Sequence, residues 1–156
     1  MKLYIKQKPL SWKDKFFVKD ENGDDCYYVE GEVFSLGKKL HVYDMGGHEV
    51  AFIEQQISFL LPYFHAHIEG RGTATIRQRF SWFHTKYTLE GLDWEIEGSF
   101  WLHEYEIRQG GQLVVSISKE LMTWGDSYEL DIANPRDALV ALAVVLVIDC
   151  VNAANN

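Results

Sequence analysis

The stretch Ala138-Leu139-Val140-Ala141-Leu142-Ala143-Val144-Val145-Leu146-Val147-Ile148 decides the fold of this chain, because every position in it is apolar. A helix with one apolar stripe lies on a surface, whereas a helix apolar all round is enclosed by lipid or by protein. The residues before it carry the chemistry of a helix start. Asn134 suits the N-cap, Pro135 suits the first helical position, and Asp137 sits where a carboxylate meets free N–H groups. The pattern predicts one buried helix over Asn134 to Ala154. A spanning helix needs about 20 mostly apolar residues. This run is shorter, Asp149 and Asn152 follow it directly, and no Lys or Arg lies beyond Arg136 to anchor a far end. The reading is a core helix, with no stable membrane span expected. Met1 to Pro9 alternates Lys with apolar residues, unlike the continuous apolar region of a signal peptide.

The segments around that helix read as strands. Lys2–Lys8, Lys15–Asp20, Cys26–Val33, Lys39–Asp44, Glu49–Gln56, Tyr63–Glu69, Thr73–Phe80, Lys86–Gly91, Trp94–Phe100, His103–Gln109, Gln112–Lys119 and Ser127–Ala133 show period-2 alternation or β-branched and aromatic enrichment. Asn22-Gly23, Gly46-Gly47, Gly70-Arg71-Gly72 and Gly110-Gly111 supply turns. A beat of 24 residues runs through them. Lys15-Phe-Phe-Val, Lys39-Leu-His-Val and Tyr63-Phe-His-Ala start at that step, Tyr87-Thr-Leu-Glu follows, and His103 and Ser127 are again 24 apart. A two-stranded unit repeated this way predicts one up-and-down meander. A closed sheet of twelve strands, at ~4.8 Å spacing and ~40° tilt, is roughly 24 Å across. Inward side chains leave about 12 Å, close to the ~10–12 Å diameter of a helix. The fold expectation is therefore mainly β with one long helix: a closed twelve-stranded antiparallel β-barrel around a buried C-terminal apolar α-helix, as one domain over residues 1–156.

Composition narrows the function classes. The net charge of −8 disfavours general nucleic-acid binding and also an anionic membrane surface as the default partner. Charge is uneven, with six lysines and one acid from Met1 to Lys19, then six acids and no base from Asp20 to Glu32. The two cysteines, Cys26 and Cys150, lack metal-ligand spacing and suit a reducing, cytoplasmic setting, with a 26–150 bridge left open.

Across its whole length the chain resembles the LURP-one-related family, in its small bacterial form. The resemblance rests on Tyr4-Ile5-Lys6-Gln7-Lys8, Lys15-Phe16 to Gly23, and Lys39-Leu40-His41-Val42-Tyr43-Asp44. It continues through Trp94-Glu95-Ile96-Glu97-Gly98, Val115-Ser116-Ile117-Ser118-Lys119 to Ile132, and Ile148-Asp149-Cys150. It implies kinship with tubby C-terminal domains and phospholipid scramblases, which share a twelve-stranded barrel around a central helix. Tubby domains bind phosphoinositides, and scramblases bind calcium and act on lipids. A shared fold alone does not carry either function across.

Candidate sites follow from side-chain chemistry. His65 and His67 share a strand face, and His41 aligns with His65 in the repeat. Phe64, Ala66, Ile68, Leu40 and Val42 occupy the opposite faces, so these histidines are expected to face solvent and not to hold a metal, which needs three or four converging ligands. If Trp94–Phe100 pairs with His103–Gln109, one register sets Ile96 opposite Ile107, Glu97 opposite Glu106 and Glu95 opposite Arg108. Facing acids need a cation or solvent between them, so Glu97 and Glu106 are weak candidates for calcium, which takes several oxygens. Asp131 and Asp137 match in position the scramblase calcium segment, with different spacing around Arg136. Lys2, Lys6 and Lys8 line one face of the first strand and are candidates for an anionic lipid headgroup. Against them stands the reading of a solvated edge that blocks mispairing. Ser116 and Ser118 have no histidine partner, and no nucleophile elbow or phosphate loop occurs.

The expectation is a non-enzymatic, cytoplasmic binding or scaffold module without a cofactor. Its partner is an unknown protein or an anionic lipid. A calcium-dependent phospholipid-active protein resembling scramblases is the alternative. A small enzyme with a pocket at one barrel mouth is the third.

Overall fold

The computed structural model describes residues 1–6, 15–32, 34–79, 85–99, 104–122 and 125–154. Twelve strands precede the helix: β1 (Lys2–Lys6), β2 (Phe16–Asp20), β3 (Asp25–Gly31), β4 (Lys39–Asp44), β5 (Glu49–Gln56) and β6 (Tyr63–Ile68), then β7 (Gly72–Arg79), β8 (Thr85–Glu90), β9 (Trp94–Ser99), β10 (Glu104–Gln109), β11 (Gln112–Met122) and β12 (Gly125–Ile132). Each pairs antiparallel with its neighbour in sequence, and β1 pairs with β12 to close the barrel. The meander and the strand count are as the alternation predicted.

A short 3-10 turn, Pro135–Asp137, leads into α1 (Ala138–Ala154). Asn134 caps it, its Oδ1 accepting from Arg136 N at 3.2 Å. The helix threads the barrel, and Val140 to Val151 are all buried. Its partners are the inward residues of every strand, among them Leu3, Ile5, Val18, Val29, Leu40 and Ile53 on the first half of the wall. Residues 135–154 are long and apolar enough to cross a membrane, with a mean hydropathy of 2.1. Here that surface is spent on the barrel interior, with most of its residues buried.

Alternation places the side chains and bulges correct it locally. Phe64 and Ala66 point in while Tyr63, His65 and His67 point out. Shifts at Val18/Lys19, Val42/Tyr43 and Ile107/Arg108 each let one strand gain a residue on its partner. The 24-residue beat has a structural counterpart. Val18, Val42 and Ala66 are all inward and buried. Asp20 and Asp44 also repeat their turn chemistry. Asp20 Oδ1 accepts from the amides of Asn22 and Asp24, and Asp44 Oδ1 from those of Gly46 and His48. Gly23 and Gly47 then take φ of +86° and +85°, a conformation glycine adopts without steric cost. The beat slips at the fourth unit. Tyr63 faces out, but Tyr87, 24 residues later, faces in and is buried.

The barrel has two unlike ends. Residues 21–24, 45–48, 69–71, 91–93 and 110–111 connect strands at one end, here called the turn end, where α1 enters. At the other, the loop end, residues 34–38 and 57–62 join β3 to β4 and β5 to β6, and α1 terminates. Cys26 is the second residue of β3, at the turn end, whereas Cys150 lies in the last turns of α1, near the loop end. Both are free thiols, so the 26–150 bridge does not form.

Candidate functional site

The expected register of β9 and β10 is present. Ile96 faces Ile107, Glu97 faces Glu106 and Glu95 faces Arg108. The row continues from Glu106 through Ser116 to Asp131 and Lys2. Side-chain cations supply the relief that facing acids need. Lys86 Nζ lies 2.8 Å from Glu97 and Arg108 holds Glu106 at 2.7 Å. Asp137 is elsewhere, buried beneath the β6–β7 turn, where Arg71 Nη1 donates to it at 2.8 Å. Glu97, Glu106, Asp131 and Asp137 therefore do not converge. Among the described residues no three His, Cys, Asp or Glu groups gather into a metal-sized cluster.

His41, His65 and His67 face outward, as expected, and join a belt of rings across β2 to β6. Phe17, Tyr28, Tyr43, His41, Phe52, His67, His65 and Tyr63 follow one another with centroid spacings of 4.7–6.5 Å. Lys15 caps one end, 3.6 Å from the Tyr28 centroid, and Arg77 the other, 4.4 Å from that of Tyr63. Glu32 takes His41 Nε2 at 2.8 Å, and Glu69 takes His48 Nε2 at 3.0 Å. The Glu69 hydrogen bond and charge raise the His48 pKa above its ordinary value. His67 lies between Thr73 Oγ1 at 2.9 Å and Glu54 at 3.4 Å, beside an open groove of about 360 Å³. One rung away His65 meets Thr75 at 3.1 Å. We read both as cross-strand pairs of a sheet surface, since they repeat along the same two strands.

Interior polar groups serve the core. Tyr128 Oη donates to the buried Asp149 carboxylate at 2.6 Å, and Asn152 Nδ2 reaches Tyr105 Oη at 3.4 Å. The Tyr105 ring lies on Gly98 so closely that a Cβ there would sit 2.0 Å from it. Tyr87 Oη and Trp94 Nε1 are enclosed without a hydrogen-bond partner among the described residues. Burial pushes the Tyr87 hydroxyl far above the phenol range and the Cys150 thiol up to about 12. Both groups are held protonated, which suits packing and not nucleophilic chemistry.

The lysine face is split by the structure. Lys2 and Lys6 share the outer face of β1 but stand at its two ends. Lys2, at the turn end, is tied to Glu129 on β12, and that hydrogen bond and charge raise its pKa. Lys8 lies outside the described residues, as does Lys13. Lys6 is exposed at the loop end, where Lys15 stands just before β2, Lys38 just before β4, and Lys39 opens β4. Among the described residues Lys6, Lys38 and Lys39 have no ion-pair partner. At the turn end Lys2, Lys19, Arg71 and Arg108 are all paired with carboxylates, Arg136 being the exception. Asp20, Glu21, Asp24, Asp25, Asp44, Glu49, Glu69 and Asp93 crowd that same end. The described acids nearest the loop end are fewer, namely Glu30, Glu32, Glu54 and Glu104, so among the described residues the barrel carries an axial charge asymmetry, which the sequence hinted at only in its lysine-rich start.

A closed twelve-stranded meander filled by its own C-terminal helix defines the class of protein, a plugged antiparallel barrel with its chemistry on the rim and outer wall. The profile of the LURP-one-related family matches residues 1–149, and the chain belongs to that family. It is 36% identical over 151 residues to the uncharacterized protein YxjI of Bacillus subtilis (strain 168), covering 97% of this chain and 93% of that one. A protein of Arabidopsis thaliana solved by X-ray diffraction superposes with a TM-score of 0.64 at 19% identity, covering 95% of this chain and 89% of that chain. The last likeness concerns the fold alone.

Proposed function

We propose that this protein is a non-enzymatic binding module that docks the loop end of its barrel against anionic lipid headgroups on the cytoplasmic side of a membrane. The observation that carries this reading is the axial charge asymmetry. Lys6 and Lys15 stand on the loop-end rim at β1 and β2, and Lys38 and Lys39 stand at the start of β4, with β3, Glu30 and Glu32 between the two pairs. All four lie away from the carboxylates that neutralise the bases of the turn end. A surface with negative potential attracts such a rim and repels the acidic end, so the net charge of −8 orients the barrel without preventing binding. Each lysine near an anionic surface contributes about 1 kcal/mol, falling off within a Debye length. Calcium has no role in this reading, because Glu97 and Glu106 are engaged by Lys86 and Arg108.

Co-sedimentation with phosphatidylcholine vesicles, alone or with phosphatidylserine, tests the reading across a salt series with calcium or a chelator. The expected result is binding to the anionic vesicles in chelator, weakened by salt and by Lys6→Glu/Lys38→Glu/Lys39→Glu. Binding that requires calcium, or that ignores the three charge reversals, would overturn it.

A further inference from the structure

Six large apolar side chains stand in water on two neighbouring loops of the loop end. Phe34 is 101% exposed, Leu36 77%, Ile57 73%, Phe59 102%, Leu60 92% and Leu61 37%. The other exposed large apolar residues described, Met1, Phe17, Met45 and Leu113, are scattered over different strands and turns. The two loops are neighbours because β4 and β5 pair. Their bases are stapled together, Gln55 N donating to Lys38 O at 2.8 Å and Lys38 N to Gln55 Oε1 at 3.1 Å. Local hydrogen bonds shape the projecting parts. Ser35 Oγ donates to Gly37 O at 2.7 Å, and Leu60 N donates to Ser58 Oγ at 3.3 Å. Gly37 turns at φ +80° against Gln55, where a side chain would be both strained and crowded. The result is a fixed base under exposed apolar tips.

We infer that these two loops insert their tips into the boundary between headgroups and acyl chains of a bilayer, as the apolar half of the membrane contact whose charged half is the lysine rim. The inference rests on the reading of the rim given above and adds the acyl boundary as the second element recognised. Three observations select a bilayer as the occupant. The tips project, whereas small-molecule sites are concave. Lys38 and Lys39, without ion-pair partners among the described residues, stand within five residues of Phe34 and Leu36 in the chain, giving the apolar-plus-basic juxtaposition of interfacial segments. The acidic turn end lies at the opposite pole, so an anionic surface presents the tips and not the turns to the membrane. A contiguous exposed apolar patch of this kind marks an interaction surface.

The test places a reporter on the tip. In a Cys26→Ser background Phe59→Cys is labelled with an environment-sensitive fluorophore, the other thiol, Cys150, being buried on α1. The full chain is mixed with phosphatidylcholine/phosphatidylserine vesicles carrying shallow spin-labelled acyl chains. We expect a blue shift and quenching by the spin label. We also expect Phe59→Asp/Leu60→Asp to bind these vesicles about tenfold more weakly or worse, from the apolar area withheld, while melting with the unsubstituted protein. A reporter that stays in water, with the double variant binding as well as the unsubstituted chain, would overturn insertion and leave the headgroup reading intact. Insertion into neutral vesicles with indifference to the three lysine reversals would overturn the rim and keep the tips. Absence of binding to any vesicle overturns both.

Discussion

The two ends of the barrel solve opposite problems with the same strands. At the turn end, connections are short and self-satisfied. Asp20 and Asp44 each close a turn with their own carboxylate, and His48 and Glu69 link the β4–β5 turn to the β6–β7 turn. Arg71 reaches from that turn to Asp137 and seats the start of α1. At the loop end, apolar side chains and lysines are left without partners in the described molecule, around the point where α1 stops. One end is built for closure; the other, in the reading proposed above, is left for contact. The difference teaches that a plugged barrel needs only one end to guide its plug.

The largest expected effect breaks what both ends share. Val144 is fully buried midway along α1. Val144→Asp sets an unpaired carboxylate among wall and helix, at a cost of several kcal/mol. That is comparable with the ~5–15 kcal/mol of a whole domain. The variant should lose its cooperative melt by circular dichroism, and so should a chain ended after Ala133. A soluble, cooperatively melting chain without α1 would remove the central-helix account of the fold.

Next comes a contrast between the ends. Arg71→Ala leaves the Asp137 carboxylate, only 9% exposed, without its guanidinium. Breaking a partly enclosed charged pair of this kind should cost about 1–3 kcal/mol. Phe59→Asp/Leu60→Asp touches no packing and should change stability by no more than about 0.5 kcal/mol. Urea melts of both variants measure the contrast. If the tip variant is the less stable of the two, the loops belong to the core and the division into a closing end and a contact end is wrong.

Much of this was legible in the sequence, and the reasons are specific. An eleven-residue apolar run fixes an enclosed helix, and alternation fixes which face of β4 and β6 looks inward. The slip at Tyr87 was not legible. A repeat in residue type does not report a change of face, which depends on the register that β8 takes against β7 and β9. The Glu97–Glu106 opposition followed from hairpin pairing, but the cations relieving it come from Lys86 across the strand pair and from Arg108 two residues on. For the lysines, alternation placed Lys2 and Lys6 on one face and said nothing about ends. Lys2 is withdrawn by Glu129, 127 residues away, a pairing that only barrel closure creates. The exposed tips were missed because Ile57-Ser58-Phe59-Leu60-Leu61 has the composition of a core segment. Exposure there follows from its place beyond the end of β5. The available signal was the contrast in connections, with Asn, Asp and Gly at one end and Phe, Leu and Ile at the other.

The smallest expected effect sharpens the account of the closing end. His48 Nε2 meets Glu69 Oε1 at 3.0 Å, and that hydrogen bond, followed by the charge, raises the imidazole pKa. A group whose folded pKa lies above its unfolded value, ~6.5 for histidine, stabilises the fold fully below the unfolded value. That stabilisation is lost as pH rises through the folded pKa. The pair is exposed, so its imprint should be local. Following the His48 imidazole by NMR should place its midpoint above the ordinary histidine value, and Glu69→Gln should bring it back down. Amide protection factors, taken relative to the intrinsic exchange rate at each pH, should rise in the two linked turns below that midpoint, while those of residues 34–38 and 57–62, which carry no titrating pair of this kind, stay unchanged. A midpoint unmoved by Glu69→Gln would mean that the two turns are not joined through this pair, and Arg71 with Asp137 would be left to hold the closing end.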